Sequence, residues 1–132
     1  MPISVSNDNN IGWNTLVSGL MPLEQIKELV QVRVRPLDAY IEEEKLPCVD
    51  FVKIDAEGYE FPILLGMRRC LARDRPVILC EVVPPAYPLL GHSLRDLRAL
   101  LEVSRYDVLD TRGRPLQLES LERTTNILLL PE

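Results

Sequence analysis

Four carboxylates in two short runs are the side chains of this sequence best placed, by type and spacing, to do chemistry. Asp55, Glu57 and Glu60 fall in KIDAEGYE, directly after the apolar stretch Val49 to Ile54, and Glu81 interrupts the otherwise apolar PVILCEVV. A carboxylate inside such a stretch is costly to bury unless it is paired, hydrogen-bonded or close to an open strand end. Open parallel sheets bind ligands in the crevice beyond the carboxyl ends of their strands, so the residues leaving Ile54 and Cys80 matter most. If the two strands are neighbours, Asp55 and Glu81 meet at one rim. Paired carboxylates there can take a proton from a hydroxyl, bind sugar-like hydroxyls or hold a divalent cation. The plainer alternative is structural. Asp55 and Glu57 then cap the following helix and favour its positive N-terminus, Glu81 pairs with an arginine, and Lys53, on the strand face of Asp55, forms an ion pair with it. Spacing alone leaves both readings open. Gly58 permits a tight turn into the helix or close backbone approach by a ligand.

The substrate-side candidates are Asn14, Glu60 and His92. His92 is the only histidine and follows the PVILCEVV strand, on the rim where a substrate would lie. Gly91-His92-Ser93 reads equally as a helix lead-in. Asn14 belongs to the Asn10 to Asn14 stretch, either a binding loop or a hydrogen-bonded turn. Trp13 offers a stacking surface or simple packing.

The elements that must position these residues follow from apolar periodicity. The first twenty residues have a turn composition, which predicts a loop or a strand-loop passage. Strict alternation from Val30 to Arg35 predicts a strand with Val30, Val32 and Val34 on one face. Pro36 opens a short helix with an apolar stripe of Leu37, Tyr40 and Ile41. Val49 to Ile54 and Pro76 to Val83 read as strands. Between them Phe61, Leu64, Leu65 and Leu71 recur at helical spacing, with Pro62 in the first turn. Strand, helix, strand at this spacing is a βαβ unit with parallel strands and a right-handed crossover. Ser93 and Asp96 form a capping box for a helix over Leu94 to Ser104. Tyr106 to Leu109, a turn at Thr111 to Pro115, and Asn126 to Leu130 predict two final antiparallel strands. Without a repeat or linker, residues 1–132 read as a single α/β domain.

Composition supports this and excludes several classes. The chain of 132 residues is 46% hydrophobic and 27% charged, the profile of a globular domain with a real core. Its net charge is -5, and its arginines alternate with acids, so nucleic acid is not an expected partner. Cys48, Cys70 and Cys80 form no CxxC pair and sit among apolar neighbours. They read as buried thiols of a reducing compartment, without a disulfide framework or closed zinc site. No basic and apolar leader opens the chain, and no apolar run approaches the roughly 20 residues that span a bilayer. A cytoplasmic protein with no membrane partner is expected.

At this point the residues carry a resemblance. VDFVKIDAEGYEFPILLGM (Val49 to Met67) resembles the signature of the FkbM methyltransferase family, a strand ending in a K-I-D-x-E-G-x-E core and followed by a helix. RPLDAYI (Arg35 to Ile41), RPVILCEV (Arg75 to Val82) and TNILLLP (Thr125 to Pro131) are similar to the family's flanking segments in the same order. NIGWNT (Asn10 to Thr15) is similar to its Asn/Gly-rich stretch. The resemblance implies a Rossmann-like class I methyltransferase fold in three layers, S-adenosylmethionine as methyl donor, and O-methylation of a hydroxyl on a sugar, polyketide or related small molecule. It makes Asp55, Glu57 and Glu81 the catalytic candidates, with Asp55 first in line for the hydroxyl proton. No residue is assigned to a metal.

One departure matters. The six glycines contain no G-x-G turn, so no cofactor-binding residue is named, and the N-terminal cofactor-binding strands are expected to be lacking. The isolated chain is then expected to bind the cofactor weakly and to be inactive. The edge of the strand Val49 to Ile54 would be bare, leading to a homodimer through that edge, to aggregation, or to cover by the N-terminal segment. The rival reading is a truncated or degenerate non-catalytic α/β module that pairs with another chain.

Overall fold

The computed structural model describes residues 1–7 and 12–132. Its centre is a four-stranded sheet of β3 (Phe51–Ile54), β4 (Val77–Val82), β6 (Thr125–Pro131) and β5 (Tyr106–Asp110), in that spatial order. The two most apolar segments, β3 and β4, are adjacent and parallel, with Ile54 opposite Cys80, as expected of a βαβ unit. β6 runs antiparallel to both β4 and β5.

Alternation along the strands sends Ile54, Ile78, Cys80, Val82, Ile127 and Leu129 to one face, where they are buried. Against them pack α2 (Glu60–Leu65), α3 (Arg68–Arg73) and α5 (Leu94–Val103), through Phe61, Leu64, Leu71, Leu97 and Leu101. The opposite face carries Phe51, Leu79, Leu109 and Leu128, and none of these joins a core cluster. Phe51 is 57% exposed. Among the described residues the architecture is therefore a sheet with one helical layer, and a third layer is not seen.

The expected helix from Phe61 to Leu71 is two helices. Gly66 ends α2 at a point where a Cβ would sit 3.3 Å from the Pro36 backbone. Asp38, on α1 (Leu37–Glu43), then caps α3 by accepting from the N–H groups of Arg69 and Cys70 at 2.8 and 2.9 Å. The apolar period survives because both pieces turn the same face to the sheet. α5 begins as expected, with Ser93 and Asp96 in a reciprocal capping box.

The N-terminal part follows the expected strand-loop passage and corrects one expectation, the placing of the next strand. β1 (Pro2–Ser6) pairs antiparallel with β2 (Ile26–Gln31) as a separate ribbon, although turn residues dominate the first twenty positions. The alternating segment leaves that ladder early: β2 ends at Gln31, and a last rung joins Val32 N–H to the Met1 carbonyl at 2.8 Å. Val30, within the ladder opposite Ile3, and Val34, beyond it, are both exposed. The ribbon does not cover β3, whose outer edge has no strand partner among the described residues. A short helix α4 (Ala86–Leu89) follows β4.

Candidate active site

β3 and β4 deliver the carboxylates. Lys53 and Asp55 share a strand face, and Lys53 Nζ donates to Asp55 Oδ2 at 2.7 Å. The register that sets Ile54 beside Cys80 brings Asp55 next to Glu81. Oxygens of Asp55, Glu57 and Glu81 all lie within 4.8 Å of one another. The three catalytic candidates therefore converge at the carboxyl ends of two parallel strands.

A tight turn aims Glu57 into this group. Glu57 and Gly58 are successively left-handed, with φ of 47° and 100°, a conformation that costs a residue with a side chain roughly 1–2 kcal/mol. Two bonds hold it. Thr15 Oγ1 donates to the Glu57 carbonyl at 2.6 Å, and Gly58 N–H donates to Glu60 Oε1 at 2.7 Å. Gly58 is required twice over, because a Cβ there would lie 2.7 Å from that of Ala86 and 2.9 Å from Leu20 Cδ2.

Electrostatics separates the three acids. The hydrogen bond from Lys53 holds the Asp55 carboxyl below the usual aspartate range, against some desolvation. Burial pushes Glu81 up, and the negative charges of Asp55 and Glu57 push it further. Burial and Asp55 raise Glu57 in the same way. Like charges this close do not all ionise at once, so Asp55 keeps its charge beside Lys53 while Glu81 retains a proton to higher pH.

The substrate-side candidates are not brought together. Glu60 is wholly buried beneath the turn, and its carboxyl is raised by burial despite the Gly58 N–H. Its Oε2 has no hydrogen-bond partner among the described residues, nor does the buried Tyr87 hydroxyl. Asn14 Oδ1 accepts from Ser6 N–H at 3.0 Å, tying it to β1. His92 packs edge-on against Phe61, with centroids 4.8 Å apart. Trp13 is half-buried, and Asn10 and Ile11 lie outside the described residues. The free thiols of Cys70 and Cys80 are buried as expected, whereas Cys48 is exposed, because it lies in the loop before β3. Nothing local in the sequence marks Thr15 for a bond to a residue 42 positions away.

Among the described residues, Asp55, Glu57 and Glu81 are the His, Cys, Asp or Glu group close enough to share a cation. Their oxygens suit a hard divalent ion, but Lys53 already occupies one oxygen of Asp55.

Residues 3–108 match the model of the methyltransferase FkbM domain. The chain belongs to the FkbM methyltransferase family. The matched span takes in nearly all of the N-terminal ribbon, the KIDAEGYE turn and Glu81, so the carboxylate cluster lies wholly within it. β6 falls outside the span yet sits between β4 and β5 in the sheet. No curated protein and no solved structure matches the chain. Among the described residues, no helix is long and apolar enough to cross a membrane.

Proposed function

We propose that this FkbM chain serves S-adenosylmethionine-dependent O-methylation of a sugar, polyketide or similar small molecule, with Glu81 accepting the proton of the methylated hydroxyl. The observation that carries the reading is the convergence of Asp55, Glu57 and Glu81 within 4.8 Å at the ends of adjacent parallel strands. S-adenosylmethionine, when bound, supplies an electrophilic methyl on a sulfonium. The donor set fits a cationic donor, since a positive charge brought to the rim favours the ionised forms of Glu57 and Glu81 beside the Lys53–Asp55 pair. No residue is assigned to hold it.

The chain's own task is to align the acceptor oxygen in line with that methyl and to take its proton. Asp55 is a weak base, because Lys53 holds its pKa down. Glu81, raised by burial and by Asp55, lies closer to the range where a general base is effective. The oxygen of Asp55 not bound to Lys53 orients the hydroxyl, and Glu57 offers a third acceptor. As the C–O bond forms and the S–C bond breaks, the hydroxyl proton passes to Glu81. The surface thiol of Cys48 accords with a reducing compartment, and we assign the reaction to the cytoplasm.

The test is label transfer from methyl-labelled S-adenosylmethionine, at millimolar concentration, to a panel of hydroxylated acceptors. Glu81→Gln should lower the rate roughly 100-fold or more with the fold intact. Equal rates in the natural chain and the Glu81→Gln variant, on whichever acceptor takes label, would sink the reading.

A second reading is favoured by the unpartnered edge of β3 and the 57% exposure of Phe51. Such an edge invites pairing with another strand. On that reading the chain is a non-catalytic module, or a homodimer joined through β3. Light scattering on the purified chain and on its Val52→Pro variant separates it from a monomeric enzyme.

A further inference from the structure

A groove of about 710 Å³ opens between α2–α3 and α5, and none of Asp55, Glu57 and Glu81 lines it. One wall presents Phe61, Leu65, Arg68, Ala72 and Arg75. The other presents His92, Asp96, Ala99 and Val103. On α5 the lining residues Asp96, Ala99 and Val103 step by three and four, one helical stripe, and the facing side is shared between Leu65 of α2 and Arg68 and Ala72 of α3, so the groove is a seam between helices. Ala72 and Ala99 keep the groove open between them, while Phe61 and Leu100 form a nearly buried floor. Val103, at the end of α5, is 85% exposed.

The rim is cationic although the chain carries -5. Among the described residues Arg68 has no hydrogen bond or ion pair. Arg105 has only a loose contact with Glu132 at 3.6 Å. Arg75 donates to the carbonyls of Ser104 and Arg105 and, at 3.5 Å, to a main-chain oxygen of Glu132, and lies over the Tyr106 ring, so Arg68 is the least engaged of the three arginines. The single acid of the lining, Asp96, is engaged by Ser93 N–H in the capping box. A second copy of the chain is a poor occupant, because two-fold pairing sets this cationic rim against itself.

From this seam and rim we infer that the groove docks an acidic amphipathic helix of a partner protein, its apolar stripe between Ala72 and Ala99 and its carboxylates on Arg68 and Arg105. The proposal is independent of the carboxylate site. The probe is a fluorescein-labelled synthetic helix with leucines at alternating three- and four-residue spacing and glutamates elsewhere. Comparison peptides are a scrambled sequence of the same composition and one with lysine in place of glutamate. Fluorescence anisotropy should show binding of the acidic helix, with both comparison peptides roughly tenfold weaker or worse. Val103→Asp and Arg68→Glu, both at exposed positions, should each weaken it by a similar factor while circular dichroism stays unchanged. Equal binding of the scrambled or lysine peptide, or indifference to both substitutions, overturns the proposal. Self-association of the chain that Val103→Asp abolishes would also overturn it, by giving the groove to a second copy.

Discussion

Thr15 Oγ1 donates a 2.6 Å hydrogen bond to the carbonyl of Glu57, across 42 positions of the chain. The same hydroxyl accepts from Val17 N–H at 3.0 Å. One side chain thus satisfies the carbonyl of a left-handed residue and anchors the N-terminal segment to the turn that bears the carboxylates. Thr15→Val keeps the volume and removes both bonds, leaving two backbone groups unpaired. The loss should be about 1–3 kcal/mol by urea denaturation. An unchanged midpoint would show that the clamp is dispensable.

Gly58 is the tightest point of that turn. Gly58→Ala must place a Cβ 2.7 Å from Ala86 at a φ of 100°, and strain plus overpacking should cost about 2–4 kcal/mol. Adding Ala86→Gly removes the closest contact but leaves Leu20 Cδ2 at 2.9 Å and the φ unrelieved, so thermal unfolding of the double variant should recover only part of the loss. Complete recovery would assign the whole cost to packing.

Glu60 gives a pH signature. Burial raises its folded pKa above the unfolded value, so its favourable state is the protonated one. That contribution is full below the ordinary glutamate range and is lost as pH rises through the folded pKa. Glu60→Gln removes this dependence. Relative to the natural chain, the variant should gain stability steadily as pH is raised from acid to neutral. A difference in denaturation midpoint that stays constant with pH would mean that Glu60 is ionised in the fold without penalty.

What the sequence made legible was local or enforced by topology. The capping box of α5 lies within four residues, and the apolar runs flanking one crossover left the two strands little choice but to be parallel neighbours, which brought Asp55 to Glu81. The rest depended on distant partners. The break at Gly66 is held by Asp38 from another helix, β2 is placed by β1, and Glu60 is buried with its carboxylate accepting from Gly58 N–H. The period of the apolar residues carries no trace of these contacts.

Cofactor affinity is a further expectation. A glycine turn at a helix N-terminus ordinarily supplies most of the contacts to the nucleotide part, and the glycines of this chain include no G-x-G turn. Calorimetric titration of the 132-residue chain with S-adenosylmethionine should give an affinity weaker than micromolar. Micromolar binding would mean that other residues of the chain form a complete cofactor site.

The most direct measurement is a carboxyl titration by carbon-detected NMR on the labelled chain. Asp55 should ionise below the ordinary aspartate range and Glu81 above the ordinary glutamate range. Asp55→Asn should then lower the Glu81 midpoint part of the way, because burial remains when the neighbouring charge is gone. If Glu81 titrates at or below the ordinary value, or ignores the loss of Asp55, it does not hold the proton at this rim and the account of the site is wrong.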